Sequence, residues 1–153
     1  MSEYVIPTSR LNAREEAPHA YKAMLGFAQA AGEGLDPTIG DLLRIRASQL
    51  NGCAYCVDMH TRDAVEHGDT QRRVNNVPTW AESPLFTAKE RAALRLTEAI
   101  TLLTEGHVPD EVWQEAEKHF DPAELSRLVL SIAAINALNR IGVSTRMVPA
   151  VAV

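Results

Sequence analysis

Cysteine is scarce in this chain, with two in 153 residues, and aromatic side chains are few: two Trp, three Tyr and three Phe. Basic residues are outnumbered, 15 against 20 acidic ones, which leaves a formal charge of −5. A surface of that sign attracts neither a nucleic-acid backbone nor an anionic membrane, so neither partner is expected. No apolar run approaches the roughly 20 residues that cross a bilayer. The first residues, MSEYVIPTSRLNAREEAP, lack the charged-then-apolar pattern of a secretory signal. A cytoplasmic location is the expectation, and there two cysteines more often serve redox chemistry or a metal than a structural bridge.

Hydrophobic content of 46% and charged content of 23% suit a soluble globular chain. The length suits one domain, residues 1–153, and no repeat, low-complexity tract or dividing linker interrupts it. Period-two alternation is almost absent, whereas helix punctuation is frequent. A first helix is expected from near Glu16, with Pro18 in its first turn, to Gly32 or Gly34. Asp36-Pro37 caps a second, whose apolar face is Ile39, Leu42, Leu43, Ala47 and Leu50. Asn51-Gly52 breaks the chain before a third helix, Cys53 to His67, stopped by Gly68. Residues 69–86 read as a short helical turn and a loop. Thr87 and Glu90 fit a capping box that starts a fourth helix to about Thr104. Pro109 and Asp121-Pro122 mark two further starts. The last helix, about 122–141, is apolar nearly all round and belongs in the core or a subunit interface. The fold class is all-α, a single-domain bundle of six or seven helices.

The chemistry concentrates in one stripe. Cys53, Cys56 and His60 are spaced i, i+3 and i+7, so they share one helical face. Thiols in adjacent turns can close a disulfide, and a histidine one turn away can take a thiol proton and leave the reactive thiolate. The helix N-terminus favours Cys53 as the thiolate, while the histidine favours Cys56. Across an antiparallel turn at Asn51-Gly52, Asp41 and His60 each stand about 14–15 Å along their helices. Asp41 is thus at the right height to orient His60 or relay its protons, if helix rotation places it on the right face.

Each piece also has a plainer reading. Two cysteines can be small buried hydrophobes. A helical histidine is often structural, and Asp41 alone is a first-turn carboxylate that complements the helix dipole. A zinc site is the main chemical rival, because Cys53, Cys56, His60 and His67 are all possible ligands. Cys53 and His67, however, lie fourteen residues and about 21 Å apart on one straight helix. A metal would need three ligands of the stripe and another from elsewhere, such as His107 or His119.

At these residues, Asp41-LLRIRASQLNGCAYCVDMH-Thr61, the chain resembles the carboxymuconolactone decarboxylase-like family in its alkylhydroperoxidase D (AhpD-like) branch. Trp80 followed by AESPLFTAKERAALRLTEAIT, and the later segment AAINALNR, extend the likeness over most of a core of about 18–141. The resemblance implies an all-α fold, a homotrimer or hexamer, and thiol-dependent reduction of hydroperoxides with an external dithiol as reductant. It assigns peroxide attack to Cys56, resolution as a disulfide to Cys53, and proton removal to His60. Two positions depart from the family pattern. Asp41 stands where a glutamate is common, and Tyr55 lies between the cysteines where AhpD-type proteins carry a histidine. The decarboxylase branch lacks the cysteine pair, so decarboxylation is disfavoured.

The expected function is therefore a peroxidase cycle at Cys56, Cys53, His60 and Asp41 that requires no haem, flavin, metal or other cofactor. A disulfide reductase or thiol relay for a partner protein is the first rival, and a non-catalytic helical oligomer the second. Self-association is expected through the last helix, whose Asn136, Asn139 and Arg140 call for partners.

Overall fold

The computed structural model describes residues 4–151. Among them there are eight α-helices and no strand: α1 (Ala13–Glu16), α2 (Pro18–Gly32), α3 (Pro37–Leu50), α4 (Ala54–Glu66), α5 (Gln71–Asn76), α6 (Ala88–Thr101), α7 (Asp110–Glu117) and α8 (Pro122–Thr145). The all-α class agrees with the sequence, with eight helices where six or seven were expected. The additional pieces are short. α1 is a single turn separated from α2 because Pro18 disfavours helical geometry at Ala17, which adopts φ −135°, ψ 60°.

The punctuation acts as its chemistry dictates. Asp36 caps α3, its carboxylate accepting from the Ile39 N–H at 3.2 Å. Thr87 and Glu90 form the reciprocal capping box of α6. α6 ends at Thr101, short of Thr104, and a 3₁₀ turn over Leu103–Glu105 replaces its last turn. α8 continues to Thr145, four residues beyond the expected end.

α3 is the central element and packs against α4, α6 and α8. Ile39, Leu43 and Ala47 meet Leu96, Leu128 and Ile132 in the main core, while Leu42 and Ile45 join Val77, Trp80 and Leu94 in a second cluster. By length and composition α8 could cross a membrane, although it contains no uninterrupted apolar run of that length. Its charged residues are Glu124, Arg127 and Arg140, and its buried polar ones, Ser131, Asn136 and Asn139, are uncharged and satisfied inside the bundle. Ser131 donates to the Ala31 carbonyl, Asn136 to Thr101 Oγ1 and Asn139 to Ser48 Oγ, each at 3.0 Å. The Asn51 side-chain amide donates to the carbonyl oxygens of Asn136 (3.0 Å) and Asn139 (2.9 Å), tying the α3–α4 turn to α8. Arg140 donates to the Asn136 backbone carbonyl at 3.0 Å. The buried Asn136 and Asn139 therefore find their partners within the chain rather than at another subunit, while Arg140 is exposed beside them.

Candidate active site

The turn Asn51-Gly52 sets the position of the cysteine pair. Gly52 takes φ +66°, a left-handed conformation that glycine adopts at no steric cost. Its N–H bonds the Gln49 carbonyl at 3.2 Å, and the Cys53 N–H bonds the Ser48 carbonyl at 3.0 Å. This double bond pattern is a Schellman termination. It stops α3 and leaves Cys53 extended at the N-cap of α4, one residue before the helix in which the sequence placed it. Cys53 Sγ accepts from the Cys56 N–H at 3.4 Å, so the sulfur occupies the place of a capping oxygen.

Cys53 and Cys56 are joined as a disulfide, with Cα atoms 5.3 Å apart. Both are buried, at 2% and 4% exposure. α8 backs them at Gly142, where a Cβ would stand 2.8 Å from Cys53 Sγ and 3.4 Å from Cys56 Sγ. Gly142 was not singled out in the sequence. The available signal was a glycine inside an otherwise apolar helix, which costs about 1 kcal/mol against alanine and so implies a packing reason.

His60 lies one turn beyond Cys56 at 8% exposure, and neither ring nitrogen has a hydrogen-bond partner. The Asp63 carboxylate is 3.6 Å from Nδ1, too far for a hydrogen bond. Burial pushes the imidazole down to about 4, and the Arg44 charge adds to this against the opposing pull of Asp63 and Asp41. His60 is thus neutral at physiological pH. It faces a cavity of about 250 Å³ walled by Leu25, Met59, Ala134 and Leu138, with Arg44 at its side. Tyr55 lines a different cavity, with Asn12, Arg14 and Met147.

Asp41 is buried, but it does not reach His60. Its carboxylate meets His67 Nδ1 at 2.7 Å and Arg44 at 3.2 Å. The expected Asp41–His60 contact fails for a directional reason. Helical side chains lean toward their own N-terminus, so in an antiparallel pair Asp41 leans away from the connecting turn while His60 leans toward it. Asp41 therefore meets the far end of α4, where His67 is 58% exposed. That contact raises the pKa of His67 through the hydrogen bond and charge of Asp41. Among the described residues, no three His, Cys, Asp or Glu side chains converge as metal ligands. His119 lies beside Glu115 at 3.3 Å.

Residues 18–99 match the model of the carboxymuconolactone decarboxylase family. The uncharacterised protein YdfG of Bacillus subtilis (strain 168) is 38% identical over 138 residues, which is 90% of this chain and 94% of that protein. A protein of unknown function from Agrobacterium tumefaciens, suggested to be the antioxidant-defence protein AhpD, superposes with a TM-score of 0.92. It is 34% identical, and the match covers 95% of this chain and 100% of that one. An uncharacterised peroxidase-related protein from Ralstonia eutropha JMP134, with an AhpD core, shares the fold at a TM-score of 0.79 and 17% identity, over 91% of this chain and 75% of that one. This chain belongs to the carboxymuconolactone decarboxylase family, in its AhpD-like branch.

Proposed function

We propose that the protein is a thiol-dependent peroxidase acting on hydroperoxides, in the cytoplasm, with an external dithiol as reductant. The observation that carries this reading is the Cys53–Cys56 pair at the start of α4, with a buried, neutral, unpartnered His60 facing its own small cavity. In the first step Cys56 thiolate attacks the distal oxygen of ROOH, the O–O bond breaks, and RO⁻ takes a proton and leaves as ROH. Cys53 then condenses with the Cys56 sulfenic acid, releasing water and closing the disulfide. The dithiol returns both sulfurs to thiols and is itself oxidised.

His60 serves the first step as a weak base. Its low proton affinity belongs to the disulfide form, and a Cys56 thiolate one turn away would raise it by its negative charge. The imidazole can then hand the proton to the departing alkoxide. Asp41 is a positioning residue in this reading, since it partly neutralises Arg44, whose charge otherwise depresses His60.

The test is peroxide exposure of the single-cysteine variants followed by mass spectrometry. Cys53→Ser should retain a trappable sulfenic acid on Cys56, and Cys56→Ser should oxidise much more slowly. Faster oxidation at Cys53 would reverse the two roles. A disulfide reductase would instead react faster with a disulfide substrate than with peroxide.

The same reading includes a homo-oligomer, a trimer or hexamer by family likeness. Exposed Trp113 and Leu130 support it, because they border an apolar hollow that also contains Phe120 and Val129. Sedimentation should show an assembly at micromolar concentration, and a monomer there would contradict it.

A further inference from the structure

Arg44 of α3 has a fixed seat and an unused edge. Its guanidinium lies in a hollow left by two glycines. A Cβ at Gly32 would stand 3.2 Å from Nη2, and one at Gly40 would stand 3.3 Å from Nη1. Gly40 is inside α3, where glycine is less favourable than alanine and so implies a packing reason. Asp41 Oδ1 accepts from Nη1 at 3.2 Å, whereas among the described residues Nε and Nη2 donate to no protein group. The Nε–Nη2 edge is one with which a guanidinium grips a carboxylate through two parallel hydrogen bonds.

The cavity that Arg44 borders is otherwise mainly apolar. α8 contributes Ala134 and Leu138, α2 contributes Leu25 and Ala28, and α4 contributes Met59 with His60. Each pair is three or four residues apart on α8 and α2, as a single helical face requires. A volume of about 250 Å³ holds roughly eight non-hydrogen atoms, at the roughly 30 Å³ that one water takes in the liquid. His60 adds a second polar group, and its buried ring nitrogens lack partners, although a neutral imidazole has an N–H to donate. We propose that this cavity is a binding site for a short-chain organic monocarboxylate: the carboxylate pairs with Arg44, and the apolar chain fills the space between α2 and α8.

Two carboxylates near the cavity oppose an incoming anion. Asp41 already contacts both Arg44 and His67, so its charge is shared between two partners. Asp63 is 3.6 Å from His60 Nδ1, and its side chain is 41% exposed, so solvent screens it. Arg44 offers the ligand direct contact, which outweighs screened charges farther away. A neutral molecule of the same shape would cover the free N–H groups of Arg44 without pairing them, which disfavours it. The occupant stands against His60, one turn from Cys56, so the site also selects which organic molecules approach the cysteine pair.

The site stands on the cavity and on Arg44, not on peroxide being the oxidant, so binding is measured with no peroxide present. The probe is sodium hexanoate, with eight non-hydrogen atoms, and hexan-1-ol is the same chain without the charge. Binding to the disulfide form, at neutral pH and fixed ionic strength, is followed by the NMR signals of the His60 imidazole. Hexanoate should shift them saturably and bind roughly tenfold or more tightly than hexan-1-ol, as a hydrogen bond to a charged partner warrants. Arg44→Gln should bring the two ligands to equal affinity. Ala28→Phe fills the cavity from α2, leaves Arg44 and Asp41 in place, and should abolish binding of both. Undiminished hexanoate binding in a folded Arg44→Gln variant would overturn the inference. Equal affinities in the wild-type chain, or wild-type binding by Ala28→Phe, would do the same whether or not Arg44→Gln folds. Failure of peroxide to oxidise the pair would instead contradict the peroxidase reading and leave this one standing.

Discussion

His60 carries a consequence for stability that follows from burial alone. Its pKa is about 4 in the folded chain and 6.5 in the unfolded one, so the folded state binds fewer protons between those values. Stability from this group is fully present above pH 6.5 and is lost as pH falls toward 4. At 1.36 kcal/mol per unit the loss approaches about 3 kcal/mol. His67 acts in the opposite sense. Its raised pKa adds stability that is present below 6.5 and lost as pH rises through the raised value. Denaturant melts from pH 7 to 4 should therefore show a fall that His60→Gln largely removes. Asp41→Ala leaves Arg44 uncompensated beside the imidazole and should shift the His60 titration, followed by NMR, to lower pH, whereas Asp41→Glu should keep it near wild type. An unmoved titration in Asp41→Ala would leave Asp41 only its structural contacts with His67 and Arg44.

At the scale of elements, the decisive contact is between α8 and the start of α4. Alanine at Gly142 would gain about 1 kcal/mol of helix propensity. Its Cβ, 2.8 Å from Cys53 Sγ, would force a shift that costs about 1–3 kcal/mol by overpacking. Gly142→Ala should thus be net destabilising in the oxidised protein, and a higher melting temperature would show that α8 yields freely at this point. Much of this arrangement was legible in the sequence. Asp36-Pro37, Thr87 with Glu90, and Asn51-Gly52 are local signals whose partners lie within a few residues, and each forms the cap or stop its chemistry dictates. Contacts between helices were less legible. Spacing gives the height of a residue along a helix but not the lean of its side chain, so Asp41 was matched to His60 when it meets His67. Nor does a helical pattern tell a polar residue at a subunit interface from one inside the bundle. For that reason Asn136 and Asn139 read as interface groups, although they bond Thr101, Ser48 and Asn51.

For the whole molecule, the bundle holds a disulfide at the meeting point of α3, α4 and α8, with one cavity on the histidine side and a cleft on the Cys53 side. The AhpD-like fold places the pair, and the chemistry depends on what reaches it, because one fold can host several activities. The most direct measurement is a thiol count on the fully reduced protein after one equivalent of an organic hydroperoxide per chain. The expected result is the loss of two thiols per chain, with one equivalent of alcohol formed and full recovery of both thiols on adding dithiothreitol. Retention of both thiols, with the hydroperoxide intact, would contradict a peroxidase function for Cys53 and Cys56.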